Sequence, residues 1–179
     1  MTGKVSAGMK YSFAPVIDSG SRVLILGSLP GDRSIADARY YAHPRNAFWK
    51  TIYGFWGETP PESFDMRYEY ILRRKLALWD VISHASRQGS SDGKIRDETF
   101  NDIPGLLASY RGISLILFNG AYAFLKYSRH FGTPAIPYRR LLSTSPACAG
   151  RDAERLKMWH EALALGLCDT ETPRCIHGI

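Results

Sequence analysis

Aromatic rings and hydrogen-bonding side chains follow the first apolar strand of the chain. The run VLILGSLPGDRSIADARYYAHPRNAFW, residues 23–49, passes from that strand through a glycine- and proline-containing turn into a polar loop. Gly27, Pro30 and Gly31 let the backbone of the turn approach a ligand closely. The loop then supplies side chains that could stack on a planar ligand or bond to it: Tyr40, Tyr41, His43 and Asn46. Ligands of open α/β sheets bind beyond the carboxyl ends of the strands, so we expect the functional site here.

Polar residues also follow three later segments that have strand-like sequences. Asp80 lies in LWDVIS, Asn119 follows ILF, and the turn STSPA occupies residues 143–147. The carboxyl ends of parallel strands share one edge of a sheet, so a single cleft could contain all of these residues. Each also has a purely structural interpretation. Asp80 can cap a turn, Asn119 is more typical of a helix N-cap than of a ligand contact, and STSPA can be a turn before a helix.

Apolar segments of the chain alternate between strand-like runs and helical periodicity. The expected strands are 23–27, 76–82, 113–118 and 139–142. The expected helices are 44–57, 63–75, a short segment that begins at 101 or 102, 120–130 and 152–165. Residues 83–99 are polar and rich in Ser, Gly and Asp, which predicts a loop. Strands that alternate with helices predict a three-layer α/β/α domain with a mainly parallel four-stranded central sheet.

The composition is that of one globular domain, which we expect to span residues 1–179. The chain is 45% hydrophobic and 22% charged, which excludes a disordered protein. Its net charge of +6 points weakly to a polyanionic partner such as nucleic acid. No apolar run approaches the roughly 20 residues that span a bilayer, and no signal pattern precedes the first strand. We therefore expect a cytoplasmic protein that does not bind a membrane.

Three cysteines occur late in the chain, at Cys148, Cys168 and Cys175. Their odd number and the lack of CxxC spacing argue against a disulfide framework and against a metal or iron–sulfur site. We therefore expect reduced thiols, no metal and no cofactor.

Taken together, the motifs resemble the uracil-DNA glycosylase superfamily in their order and spacing. The resemblance rests on VLILGSLPG…YYAHPRNAFW, ALWDVI, ILFNG and STSPA, and it covers roughly residues 15–165. HPRNAFW after a GSxPG turn is its most specific element. The hypoxanthine-DNA (deoxyinosine) glycosylase branch is the most similar, followed by the mismatch-specific thymine/uracil glycosylases. The resemblance implies hydrolysis of the N-glycosidic bond of a deaminated base in DNA, hypoxanthine first and uracil or xanthine second, which leaves an abasic site.

The resemblance also implies roles for individual residues. Asn46 is the expected catalytic amide, Tyr41 the aromatic that stacks on the extruded base, and Asp80 a base-reading side chain. The expected base-binding residues are Gly27, Ser28, Leu29, Pro30, Gly31, Tyr41, His43, Asp80 and Asn119. The expected DNA contacts are Ser143, Thr144, Ser145, Pro146, Ala147 and Arg151. Residues 148–151 would lie in or beside a loop that wedges into the duplex. We expect a monomer, and the implied partner is double-stranded DNA with a deaminated or mismatched base.

Leu29 departs from the pattern of the superfamily. Uracil-type relatives carry Asp or Asn, and some other members Glu, in the first motif to activate water, and leucine cannot orient water. The departure fits the hypoxanthine branch, and it leaves open an inactive protein of the same fold that binds damaged DNA.

A nucleotide-phosphate enzyme is a weaker alternative, because GSLPGDRS lacks the GK[ST] ending that binds phosphate and magnesium. The matched motifs contain no lysine, which predicts a glycosylase without lyase activity.

Overall fold

The computed structural model describes residues 8–168. Its strands are β1 (Gly8–Tyr11), β2 (Val23–Gly27), β3 (Leu76–Asp80), β4 (Ile82–Arg87), β5 (Arg96–Phe100), β6 (Leu115–Asn119) and β7 (Tyr138–Leu141). Its helices are α1 (Asp32–Asp37), α2 (Phe48–Gly54), α3 (Phe64–Arg73), α4 (Ile103–Ser109), α5 (Ala121–Phe131) and α6 (Asp152–Leu167). Short 3₁₀ turns occur at Asp92–Lys94 and Pro146–Cys148. Cys175 and both ends of the expected domain lie outside the described residues.

Four parallel strands form the central sheet, in the order β3-β2-β6-β7. All five residues of β2 are buried, because helices cover both faces of the sheet. Val23 and Ile25 pack with residues of α2, α3 and α6 on one face. Leu24 and Leu26 pack with residues of α4 and α5 on the other. The expected three-layer fold is confirmed, and the carboxyl ends of β2, β3 and β6 lie together at one edge.

The prediction of a loop over residues 83–99 is wrong. β4 and β5 form an antiparallel hairpin, and β1 extends it into a second, three-stranded sheet. The register of the hairpin shifts twice between Ile82 and Ser86, which breaks the alternation of apolar and polar residues by which a strand is recognised. Ile95 is nevertheless buried beside the hairpin. A few apolar anchors therefore hold a segment whose composition resembles a loop.

The start of α2 also differs from the prediction. The helix begins at Phe48 rather than at residue 44, and the Asn46 N–H donates to the His43 carbonyl at 2.8 Å within a turn. Asn46 Oδ1 then accepts the Phe48 N–H at 3.0 Å. Such side-chain bonds to nearby backbone compete with helical bonds, so the helix starts after Asn46. The helix α1 was not predicted either, because it lies within the segment expected to be a polar loop.

Two other helix starts agree with the sequence. Ser63 caps α3 by accepting the Met66 N–H at 3.4 Å, and Asp102 caps α4 by accepting the Gly105 N–H at 2.9 Å. Among the helices found between residues 8 and 168, none is long and apolar enough to cross a membrane.

Candidate active site

A cavity of about 590 Å³ opens at the carboxyl ends of β2, β3 and β6. All the expected base-binding residues line it, as do Asn46 and residues 143–147. Arg151 does not line it; this residue is exposed and pairs with Glu154. The fold therefore brings the separate sequence motifs into one cleft and leaves one expected contact residue outside it.

Gly27 forms the floor of the cavity at the last position of β2. A Cβ atom there would collide with Asp80 Oδ1 and would lie 3.1 Å from the hydroxyl oxygen of Tyr41. Asp80 stands beside Gly27 in the parallel register of β2 and β3. Glycine is therefore required at this position because the carboxyl group of the neighbouring strand occupies the space.

Asp80 is a buried acid with polar partners. Ser12 donates to its Oδ2 at 2.9 Å, and Asn101 Nδ2 donates to its backbone carbonyl at 2.8 Å. Burial raises the pKa of Asp80 to about 7; nearby Asp92 adds to the rise, whereas Ser12 and Arg87 favour the ionised form. Near neutral pH the side chain can therefore either donate or accept a hydrogen bond. Its bond to the distant Ser12 does not support the turn-cap interpretation.

Tyr41 is held in the cavity wall by packing. Its backbone has a φ of 53°, a left-handed conformation that residues other than glycine rarely adopt. The ring stacks on Phe48, with centroids 3.8 Å apart and planes inclined by 19°. Its hydroxyl is buried without a hydrogen-bond partner among residues 8–168, and burial raises the pKa of the phenol. The ring is therefore a neutral, flat surface with one face supported by Phe48.

Asn46 lines the cavity two residues before α2. The bond from the Phe48 N–H occupies one of the two lone pairs on its amide oxygen, and the amide nitrogen carries two N–H donors. The side chain therefore helps to start the helix and also presents polar groups at the cavity wall. Both interpretations of Asn46, as a helix-starting residue and as a group that contacts a ligand, are compatible with this position.

Asn119 braces the turn at residues 143–147. Its Nδ2 donates to Thr144 Oγ1 and its Oδ1 accepts the Thr144 N–H, both at 2.9 Å. The N-cap of α5 is Gly120, which makes no side-chain capping bond. The predicted N-cap role of Asn119 is therefore wrong, because its amide binds a residue that is distant in the sequence.

Helix α6 supports the same turn from the protein interior. Arg155 is 2% exposed, and its Nε donates to the Ser143 carbonyl at 2.9 Å. The same guanidinium binds the carbonyl of Cys148. Trp159 Nε1 donates to the Leu142 carbonyl at 2.9 Å. These bonds fix the backbone of the turn on both sides.

Two serine hydroxyls of the turn remain available as donors. Ser143 Oγ accepts the Ser145 N–H at 3.2 Å, and Ser145 Oγ accepts the Ala147 N–H at 3.3 Å. A hydroxyl donates one bond as well as accepting, so each O–H can serve a ligand. Thr144 differs, because it is 1% exposed and its hydroxyl accepts from Asn119.

Residues 90–93, at the tip of the β4–β5 hairpin, form a wall of the cavity that the sequence analysis missed. Asp92 Oδ1 accepts the Ser28 hydroxyl at 2.8 Å and lies 3.8 Å from Arg87 Nη1. The available sequence signal was weak: a GSSDG cluster at residues 89–93, two positions after Arg87, within a segment expected to be a loop.

Within the described part of the chain, the thiols and acidic groups show no arrangement typical of a metal centre. Between residues 8 and 168, no group of three or more His, Cys, Asp and Glu side chains could hold a metal ion. Cys148 lines the cavity next to the turn, and within residues 8–168 it is not in a disulfide.

Known proteins match this chain over most of its length. The family model "Uracil DNA glycosylase superfamily" matches residues 14–166. A hypoxanthine DNA glycosylase of Methanosarcina barkeri (strain Fusaro / DSM 804) is 38% identical over 154 residues, which cover 86% of this chain and 97% of that protein. A hypoxanthine DNA glycosylase of Methanosarcina acetivorans is 39% identical over 116 residues, 64% of this chain and 73% of the relative.

A solved structure has the same fold. The solution NMR structure of a Methanosarcina acetivorans protein, provisionally described as a uracil DNA glycosylase, superimposes with a TM-score of 0.73 at 34% identity. The superposition covers 87% of this chain and 97% of the other. The family match includes every segment that lines the cavity.

Proposed function

Because the chain belongs to the uracil DNA glycosylase superfamily, we propose that it is a monofunctional DNA glycosylase that removes a deaminated base from DNA. Hypoxanthine is its first substrate, and uracil and xanthine are secondary ones. The observation that carries the proposal is the single cavity in which the GSLPG turn, Asp80, Asn46 and the turn 143–147 meet. The similarity to two hypoxanthine DNA glycosylases supports the choice of base.

The substrate base must leave the duplex before it can enter the cavity. Extrusion costs a few kcal/mol, and a mispaired base costs less, which already favours damaged sites. A cavity of about 590 Å³ has the size of ordinary small-molecule sites. Stacking on the Tyr41 ring, which Phe48 supports from behind, offsets part of the cost of extrusion.

Cleavage leaves the electron pair of the glycosidic bond on the departing base. Neutral Asp80 can donate a hydrogen bond or a proton to N7 or O6 of hypoxanthine as this charge develops. The amide of Asn46 and the backbone of the GSLPG turn add fixed dipoles, which stabilise charge without reorganisation. The proposed chemistry needs no metal and no cofactor.

The DNA backbone binds next to the cavity. The hydroxyls of Ser143 and Ser145 donate to phosphates, and their positions are fixed by the bonds within the turn. The net charge of +6 adds a nonspecific attraction to DNA. We propose that the protein binds damaged double-stranded DNA as a monomer in the cytoplasm, where its thiols stay reduced.

Duplexes with a single deaminated base, followed by alkali, test this function. Alkali breaks the strand at an abasic site, so we expect breaks with the inosine duplex and fewer with uracil or xanthine. Binding of the duplex without strand breaks after alkali would identify a protein that binds damaged DNA without cleaving it. Breaks before alkali would contradict a monofunctional enzyme. Thermal stabilisation by nucleotides, without effect on any duplex, would favour a nucleotide-phosphate enzyme.

Replacement of Tyr41 tests the stacking role. We expect Tyr41→Ala to slow single-turnover cleavage of a paired lesion by about 5- to 150-fold, because stacking on an exposed base contributes ~1–3 kcal/mol. A single-stranded substrate largely avoids the cost of extrusion, so Tyr41→Ala should slow its cleavage less.

Tyr41→Phe is the matched control. It keeps the ring and removes a hydroxyl that has no partner within the described chain, so we expect nearly wild-type stability and cleavage. Equal losses on paired and single-stranded substrates with Tyr41→Ala would mean that the ring only packs against Phe48.

A further inference from the structure

Leu29, which carries no reactive group, connects the GSLPG turn to the second sheet. Its side chain is 6% exposed and packs with Ile82, Ala85 and Ile95 of the hairpin region. Ile95 follows directly on the 3₁₀ turn that begins at Asp92. The packing of Leu29 therefore holds the hairpin tip against the turn that forms the cavity floor.

Polar contacts fix the tip further. Ser90 Oγ accepts the Asp32 N–H at 2.9 Å, and Lys10 Nζ donates to the Gly89 carbonyl at 2.7 Å. Lys10 also pairs with Asp32. The hairpin tip is thus tied to Asp32, which follows directly on the GSLPG turn.

Arg87 lies buried against the GSLPG turn, with 1% of its surface exposed. Its guanidinium donates to the carbonyls of Leu29, at 3.4 Å, and Pro30. A buried guanidinium needs a negative partner, and Asp92 Oδ1 lies 3.8 Å away. The arginine therefore favours the ionised form of Asp92.

Asp92 reaches the cavity with about two-fifths of its side chain exposed (39%) and accepts the Ser28 hydroxyl at 2.8 Å. Burial raises the pKa of Asp92, whereas Ser28 and Arg87 oppose the rise. The carboxyl of Asp80 and the phenol of Tyr122 also interact with it electrostatically. Asp80 and Asp92 thus lie in one cavity, and Ser28 and Arg87 support the charge of Asp92, an arrangement typical of an acid and base pair.

We propose that Asp92 binds the water that attacks the sugar and accepts its proton. The proposal rests on the glycosylase function. The water oxygen forms a bond to C1′ while the bond from C1′ to the base nitrogen breaks, and its electron pair leaves with the base. The water proton goes to the Asp92 carboxylate, and the base takes a proton from neutral Asp80. Solvent exchange restores both acids.

Neighbouring groups are less suited to this step. The amide of Asn46 can orient water but has no basic lone pair for a proton. Asp32 also lines the cavity, but it is exposed and its carboxylate is paired with Lys10. Asp92 instead has the Ser28 hydroxyl on Oδ1, which leaves lone pairs of the carboxylate for a water molecule.

Single-turnover cleavage of an inosine duplex by Asp92→Asn, Asp92→Ala and Ser28→Ala tests the proposal. Asp97→Asn, a change in the same hairpin outside the cavity lining, is the matched control. We expect Asp92→Asn to slow cleavage by about 10²-fold, the lower end of the effect of a general base, with unchanged duplex affinity. Ser28→Ala keeps the Asp92 carboxylate but removes the hydroxyl that donates to it, so the loss of rate should be smaller. Asp97→Asn should cleave like the wild type.

Two readouts separate proton transfer from a purely structural role. On the acid limb of the pH profile, before ionisation of Asp80 makes the rate fall, the wild-type rate should rise with pH as Asp92 ionises, and Asp92→Asn should lack this rise. Formate should restore part of the cleavage in Asp92→Ala, with chloride at equal ionic strength as the control. These readouts apply even if a variant loses some thermal stability.

A cleavage rate of Asp92→Asn within about threefold of the wild-type rate would overturn the role of Asp92. It would leave the glycosylase function standing. If the Asp92 variants lose rate but keep the wild-type pH profile and are not rescued by formate, the role of Asp92 is overturned too. Failure of the wild type to cleave hypoxanthine, uracil and xanthine duplexes would instead overturn the proposed function, and the inference with it.

Discussion

We expect Asn46→Ala to fold, to bind inosine-containing DNA still, and to cleave it about 10²–10³-fold more slowly in a single turnover. This is the loss expected when a donor aimed at developing charge is removed. The amide lines the cavity, and the bond from the Phe48 N–H holds its oxygen in place before substrate arrives. Loss of that bond alone would lower stability by only ~1 kcal/mol and leave turnover of the folded protein nearly intact.

Asn46→Ser is the control that separates the two roles. Serine is a good helix-starting residue and can accept the Phe48 N–H, but it lacks the amide. We expect Asn46→Ser to recover most of the thermal stability lost in Asn46→Ala and little of the cleavage. Near wild-type cleavage by both variants would show that Asn46 only starts the helix. Asp80 would then be the next candidate, because the amide of Asn119 is engaged by Thr144.

The location of the site could be predicted from local sequence features. The five consecutive apolar or small residues of β2 identify a strand buried on both faces, and its carboxyl end identifies the sheet edge where ligands bind. The same reasoning applied to Asp80 and to the turn 143–147, and all of these residues line one cavity. Strand ends are recognised from residues next to each other, so no long-range information was needed.

Other parts of the site depend on contacts between distant residues. Asn119 looked like a helix cap because an Asn-Gly pair is common at that corner, yet its partner is Thr144. The β4–β5 hairpin looked like a loop because its apolar anchors are few and its register is irregular. Leu29 looked like the loss of a functional residue, whereas the fold uses it to anchor that hairpin. Only the folded chain reveals these partners.

Cleavage should also fall steeply as the pH rises above neutrality. The pKa of Asp80 is about 7, and the proposed step uses its neutral form. The neutral fraction falls about tenfold for each pH unit above the pKa, so kcat/KM should drop roughly 50-fold between pH 7 and pH 9. The measurement is kcat/KM on an inosine duplex at constant ionic strength, because this parameter reports ionisation of the free enzyme.

Asp80→Asn is the control for this pH dependence. Its amide can still accept from Ser12 and donate to a base but cannot ionise, so its kcat/KM should be lower than that of the wild type near pH 7 and flat between pH 7 and pH 9. A decline of the same slope in Asp80→Asn would assign the titration to another group.

Thermal unfolding checks the same titration without any substrate. The pKa of Asp80 is raised in the folded chain above its ordinary value of 3.8, so the folded state binds more protons between that value and about 7. The free energy of unfolding of the wild type should therefore contain a term from Asp80 that falls as the pH rises through this window and is lowest above it. Asp80→Asn lacks the term, so its melting temperature should exceed that of the wild type at pH 8 and approach it at pH 5. An equal difference at both pH values would mean that Asp80 is not protonated in the folded protein near neutral pH, and the proton for the departing base would have to come from elsewhere.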